Sequence, residues 1–211
     1  MSLAAALHQG LAGLGLDLPA AVQATLLAYV ALLKKWNATY NLTAIRDEGE
    51  MVTQHLLDSL SVLPALQELA LVGRRWADIG SGAGLPGIPL AIVRPDLDMT
   101  LVETVAKKSA FQRQAKIELG LANLTVVNRR VEELPGGGFD AVISRAFAEL
   151  ADFVRLAGHL PTPDGRLYAM KGLLPEDEIS RLPQAWAVAD CIRLSVPGLD
   201  AQRHLIILER A

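Results

Sequence analysis

Hydrophobic positions in the first third of the chain recur at helical spacing. Leu26, Leu27, Val30 and Leu33 form one apolar stripe in a segment that opens at Pro19, a residue suited to a first helical turn. The stretch WNATYNLTAI then breaks the period with Asn, Thr and aromatic residues and reads as a connecting loop. Asp47 and Glu50 have capping-box spacing, in its Asp variant, ahead of MVTQHLLDSLSVL. That run sets Leu56, Leu57, Leu60 and Leu63 on one face.

From Arg74 the grammar changes, and short apolar runs alternate with helical patterns. RRWADIG precedes a Gly-rich turn and PGIPLAIV, and MTLVET precedes AKKSAFQRQAKIELG. LTVVN is followed by a short link, FDAVISRAF leads to ELADFVRLAGHL, and GRLYAMKG leads to PEDEISRL. This repetition predicts an α/β fold with a mostly parallel open sheet and helices on both faces. The last run, RHLIILER, alternates less clearly and is expected to pair antiparallel at the sheet edge. Residues 1–70 are expected to form a helical N-terminal extension, and 71–211 the main domain.

Composition sharpens this picture in four ways. Hydrophobic residues make up 51% of the chain and charged ones 20%, enough to supply a packed core. A single cysteine, Cys191, excludes an intramolecular disulfide framework and a multi-cysteine zinc site. The apolar start has no Lys or Arg before Lys34, and Asp17, Pro19 and several glycines interrupt it, so a cytoplasmic protein without a membrane span is expected. A net charge of −3 argues against a dedicated electrostatic binder of nucleic acid. The cations nevertheless cluster at Lys107, Lys108, Arg113, Lys116, Arg129, Arg130 and Arg145. On charge alone, solvated helix and loop positions are the favoured reading of that cluster.

The strongest chemical signal is DIGSGAGLPG, residues 78–87. Glycines after a strand let the backbone turn sharply and approach a ligand, and the following helix offers free N–H groups. Two cofactors compete for the turn. Gly82, Gly84 and Gly87 satisfy the dinucleotide pattern, with Glu103 near the expected distance for a ribose-binding acid. Asp78, however, precedes Gly80, Gly82 and Gly84 at alternate positions, as in the first motif of Rossmann-like methyltransferases. An aspartate there suits a ligand carrying an ammonium group and would repel a pyrophosphate. This favours S-adenosyl-L-methionine, with Glu103 placed for the ribose hydroxyls and Val131 and Glu132 for the adenine.

The segments KWNATYNLTAIRD, HLLDSLSVLP, DIGSGAGLPGIPLAIVRP, RVEELP, FDAVISRAFAEL and YAMKG occur in order between about residues 34 and 172, and the tail DAQRHLIILER follows. In this the chain resembles the small-subunit ribosomal RNA guanine-N7 methyltransferase family (RsmG, or GidB). The resemblance implies a Rossmann-like class I methyltransferase, with 71–211 as its S-adenosylmethionine-dependent domain. It also implies cofactor contacts at Gly80, Leu85, Val131, Glu132 and Arg145, beside Asp78, Gly82 and Glu103. Leu85 stands where many members carry Phe, Glu103 where Asp is common, and Val131 where Ala is frequent. The implied substrate is a loop guanine of 16S rRNA, alone or in the small subunit, with no obligatory protein partner and no metal.

Methyl-transfer chemistry fits what the chain lacks. Carbon methylation of pyrimidines needs a cysteine nucleophile, and Cys191 lies late in the chain. Adenine amino methylation uses an Asn/Asp-Pro-Pro clamp, where this chain reads Ser144-Arg145-Ala146-Phe147. Oxygen methylation calls for a base, and His8, His55, His159 and His204 are scattered singly and read as structural. Guanine N7 already offers a lone pair, so positioning can suffice. Its N7 and O6 share one acceptor edge, suited to a guanidinium such as Arg145, which could also hold the cofactor carboxylate. Lys171 is a candidate contact to RNA phosphate or base, and Phe147 a candidate for stacking or for the core. The rival readings are a nucleotide-dependent oxidoreductase and a non-catalytic RNA-binding protein.

Overall fold

Four of the five residues of strand β1 (Arg75–Ile79) are buried, as a central parallel strand covered on both faces requires. The computed structural model describes residues 2–68, 73–145 and 148–211, with only the backbone of Glu68. The expected division at residue 70 and the candidate stacking residue Phe147 lie outside the described residues. Strand β1 lies between β2 (Asp98–Val102) and β4 (Phe139–Arg145), parallel to both. Strand β3 (Leu124–Val127) extends one side, and β5 (Pro161–Lys171) extends the other, again in parallel.

The sheet is completed by two antiparallel strands, in the order β3-β2-β1-β4-β5-β7-β6. RHLIILER forms the whole of β7 (Arg203–Arg210), which is antiparallel as expected but is not the edge. Strand β6 (Trp186–Leu194), which the sequence reading did not anticipate, pairs outside it. Covered on both sides, β7 buries five consecutive residues from His204 to Leu208.

Helices α1 (Leu3–Gly13) and α2 (Ala20–Tyr40) open the chain. The WNATY segment belongs to α2 and is not a loop: the helix ends only at Asn41, whose left-handed φ of 49° closes it. Asp47 caps α3 (Glu48–Met51) by accepting the Glu50 N–H at 3.0 Å. The chain then passes through a π-helical turn (Val52–Leu57) into α4 (Asp58–Leu60) and α5 (Val62–Glu68). Helices α6 (Gly87–Val93) and α7 (Ala106–Glu118) follow β1 and β2, while α8 (Leu150–Ala157) and α9 (Glu176–Ser180) follow β4 and β5.

Two apolar clusters result, one on each sheet face. Leu7, Leu26, Leu56 and Leu60 share the first with Leu90, Phe111 and the sheet residues Trp76, Met99 and Ile143. The N-terminal helices therefore pack directly into the core of the sheet. Phe153, Val154 and Ala157 of α8 cover the other face with Val142, Leu167 and Ile206.

One polar contact ties this packing to the glycine turn. Tyr29 of α2 is fully buried, and its hydroxyl donates to the Ala83 carbonyl at 2.8 Å. Tyr29→Phe leaves that acceptor without its donor in a dry site. We expect a loss of about 1–3 kcal/mol in urea unfolding, and a change near zero would remove Tyr29 as an anchor of the turn.

Candidate active site at the carboxyl ends of the parallel strands

The residues between β1 and α6 form a turn whose backbone bonds run mostly to carbonyls of β2 and of the turn itself. Gly80 and Ser81 donate to the Val102 carbonyl at 2.9 and 3.3 Å, and Gly84 and Leu85 donate to the Ser81 carbonyl at 2.7 and 2.9 Å. Two acids bind the rest. Asp78 Oδ2 accepts the Gly87 N–H at 2.8 Å, and Glu103 accepts the N–H groups of Gly82 at 2.9 Å and Val105 at 2.8 Å. Gly87 has no alternative: a Cβ there would sit 2.8 Å from Asp78 Oδ2 and collide with Leu101. Gly82 has a φ of 57°, which a side chain would strain even though space is open around it. Gln112 completes the clamp by donating to Ser81 Oγ and the Gly82 carbonyl, each at 2.8 Å.

Asp78 is wholly buried, and its Oδ1 has no hydrogen-bond partner among the described residues. Burial pushes its pKa up to about 7, against the opposing pull of the Gly87 N–H and the Arg145 charge.

A cavity of about 280 Å³ opens above this turn. It brings together Gly80, Glu103, Val131 and Glu132 of the predicted cofactor residues, with Ile79, Val102 and Leu156 as apolar wall. Each oxygen of Glu103 already accepts one backbone N–H and keeps a lone pair for a ligand hydroxyl. Gly82, Leu85 and Asp78 do not line it. Leu85 is buried in the core, and all three shape the turn beneath the cavity.

Arg145 and Lys171 line a second cavity, of about 360 Å³, at the ends of β4 and β5. Arg145 Nη1 donates to the Gln54 carbonyl at 3.0 Å and to Asp58 Oδ2 at 2.8 Å. Arg203 Nε donates to the other oxygen, Asp58 Oδ1, at 2.7 Å. Lys171 Nζ reaches Glu178 at 2.8 Å and the Ala148 carbonyl at 2.7 Å. Gln54, His55 and Asp58 reach the cavity from the helical segment containing the π turn. Asp58 and Arg203 were not singled out from sequence. The available signal was the one acid in the Leu-rich run HLLDSLSVLP and a basic residue in the matching tail.

His55 lines the same cavity, with ring contacts to Thr43 Oγ1 at 2.9 Å and to the Gln54 carbonyl at 3.1 Å. A carbonyl only accepts, so Nδ1 carries the proton and Nε2 accepts from the Thr43 hydroxyl. Burial, with the Arg145 charge second, lowers the His55 pKa to about 4, in keeping with this neutral ring. The seven-residue basic cluster divides. Arg145 is ion-paired, whereas Lys107, Lys108, Arg113, Lys116, Arg129 and Arg130 form no ion pair among the described residues.

The two displaced pKa values give opposed pH dependences. Asp78, raised from 3.8 to about 7, contributes stability that is fully present below 3.8 and is lost as the pH rises toward 7. His55, lowered from 6.5 to about 4, contributes stability present above 6.5 and lost as the pH falls toward 4. Across pH 4–6.5 the slopes therefore oppose each other. Asp78→Asn is expected to make stability rise more steeply with pH than in the parent, and His55→Gln to make it fall. Urea unfolding over this interval checks both, and parallel curves for all three proteins would contradict the assignment.

Comparison with known proteins agrees with this geometry. Residues 22–206 match the family described as GidB, rRNA small subunit methyltransferase G. The ribosomal RNA small subunit methyltransferase G of Aromatoleum aromaticum is 61% identical, over 98% of this chain and 99% of that protein. The Azoarcus sp. protein of the same name is 58% identical, over 97% and 95%. Among solved structures, TrmN from Thermus thermophilus superposes with a TM-score of 0.57 at 20% identity, over 76% of this chain and 53% of that one. A SAM-dependent methyltransferase from Aquifex aeolicus gives 0.54 at 14%, over 72% and 92%. These distant likenesses show the class I methyltransferase fold, and the close ones show the family: the chain belongs to the rRNA small subunit methyltransferase G family.

Proposed function

We propose that this protein transfers the methyl group of S-adenosyl-L-methionine to N7 of a loop guanine in 16S rRNA of the small ribosomal subunit. The observation that carries the choice of atom is the second cavity, whose donors are abundant and whose bases are occupied. Asp58 is taken by two arginines, His55 is neutral and holds Thr43, and Cys191 lies exposed on the edge strand β6. A ring nitrogen with a ready lone pair needs no proton removed and is served by orientation alone.

The donor cavity fits the cofactor through its own chemistry. When bound, S-adenosylmethionine supplies an electrophilic methyl group on a sulfonium. Glu103 has lone pairs left for the ribose hydroxyls, Val131 offers an apolar wall, and Glu132 lies where polar atoms of the adenine edge can be met. Asp78 serves the cofactor indirectly, since it is wholly buried below the cavity and holds the Gly87 N–H that fixes the turn.

Arg145 is the orienting residue in this reading. A guanidinium placed on N7 would occupy the attacking lone pair, so its donors serve O6 or the cofactor carboxylate and leave N7 free. Lys171 is assigned to the RNA side of the same cavity. The six cations without ion pairs, on α7 and after β3, suit the phosphate backbone. No helix among the described residues is long and apolar enough to cross a membrane, and we place the enzyme in the cytoplasm with its ribosomal substrate.

Labelled methyl is expected to enter unmodified 16S rRNA or small subunits at guanine N7, identified by nucleoside mass spectrometry. Arg145→Ala is expected to lower turnover on the order of 10²-fold while the far-ultraviolet circular dichroism stays that of the parent. Methylation at another atom, or none on any RNA state, would contradict the proposal.

A further inference from the structure

The second cavity contains one buried acid and an excess of positive charge. Asp58 is 2% exposed and splits its carboxylate, Oδ2 to Arg145 at 2.8 Å and Oδ1 to Arg203 at 2.7 Å. The two arginines lie 87 and 145 residues away in sequence, on separate strands. An ion pair serving stability alone needs one cation per acid, and a second buried cation is a cost unless an acceptor meets it. Here both guanidinium groups stay partly open to the cavity, with side-chain exposures of 20% and 26%.

Their hydrogen bonds leave donors unspent. Arg145 uses only Nη1, toward Gln54 and Asp58. Arg203 uses Nε toward Asp58 and Nη1 toward the Gln202 carbonyl at 2.9 Å. Arg145 Nε and Nη2 and Arg203 Nη2 have no partner among the described residues. Lys171 differs, being engaged by both Glu178 and the Ala148 carbonyl. The cavity thus presents three guanidinium nitrogens, Arg145 Nε and Nη2 and Arg203 Nη2, that its own acceptors leave unmet, all held at one carboxylate.

We propose that Asp58 is a positioning residue, holding Arg145 and Arg203 as a paired donor for the O6 edge of the target guanine, and that Arg203 is a specificity-determining contact. This rests on the reading of the protein as a guanine-N7 methyltransferase. The chemistry suits the division: N7 must keep its lone pair, and for unspent donors the neighbouring acceptor is O6, which adenine lacks. Two donors fixed by one acid meet O6 with little ordering left to do at binding. Phosphate is the poorer ligand for this cavity, because the six unpaired cations of the surface already suit the backbone.

The test compares steady-state methylation of 16S rRNA carrying guanine or 2-aminopurine at the target position; 2-aminopurine keeps N7 and lacks O6. Calorimetric binding of S-adenosylhomocysteine is measured on each variant alongside. For Arg203→Gln we expect the KM for guanine RNA to rise about tenfold, the homocysteine ligand to bind as in the parent, and no difference from the parent on 2-aminopurine RNA. Arg203→Lys keeps the charge without the fork and is expected to recover only part of the loss. Asp58→Asn is expected to lower kcat on guanine RNA. Should that variant not fold, Asp58→Asn with Arg203→Gln has the same net charge as the parent cluster and is expected to bind cofactor yet lose preference for O6.

Equal losses on both RNAs would assign Arg203 to a phosphate and overturn the proposal, as would parent kinetics in Arg203→Gln. Failure of the unaltered enzyme to methylate guanine N7 would instead overturn the functional reading on which the proposal stands.

Discussion

The turn after β1 has no ladder of its own for several backbone donors, and two buried carboxylates take that part. Asp78 receives the Gly87 N–H at the start of α6, and Glu103 receives the Gly82 and Val105 N–H groups at the heads of the turn and of α7. A buried donor left unmet costs as much as several ordinary contacts return. The positions of β1, β2, α6 and the turn are therefore fixed together. The cavity lined by Gly80, Glu103, Val131 and Glu132 is the outcome of that bonding. Acids that a ligand-centred reading assigns to the cofactor build the floor before any ligand is present.

The N-terminal helices are bound into the same arrangement. Tyr29 reaches across from α2 to the Ala83 carbonyl inside the turn, and Asp58 reaches from α4 to the arginines of β4 and β7. Gln54 and His55 from the π turn and Asp58 just after it, at i, i+1 and i+4 spacing, reach one cavity. A segment that looks like an appendage in sequence supplies one wall of the site and one anchor of the turn. The glycine turn and the second cavity thereby depend on contacts that join both ends of the chain to its middle.

Much of this was legible in sequence, for local reasons. Strand followed by Asp-x-Gly-x-Gly-x-Gly is a contiguous signal, and the alternation of apolar runs with helical patterns spelled out β1 through β5 in order. Strand β6 was harder. Its Trp186, Val188, Ile192 and Leu194 alternate with more exposed residues, but a register shift between Val188 and Asp190 breaks the period. Missing it also left RHLIILER at the edge, although its run of buried residues belongs to an interior strand. The WNATY segment lacks helical stripes because α2 runs on over the aromatic contacts of Trp36 with Phe111 and Tyr40, which override weak local propensity. Of the Asp58–Arg145–Arg203 cluster only Arg145 was singled out, since its members meet only through the tertiary fold.

The claim at the centre of this account is that Asp78 and Glu103 hold the turn in the ligand-free protein. Amide hydrogen exchange followed by nuclear magnetic resonance reads it at two residues, Gly82 and Gly87, whose N–H groups these acids accept. Both amides are predicted to be protected from exchange without cofactor, to the same order as those of β1. Exchange at the rate of an unstructured chain, slowing only when S-adenosylhomocysteine is added, would contradict it.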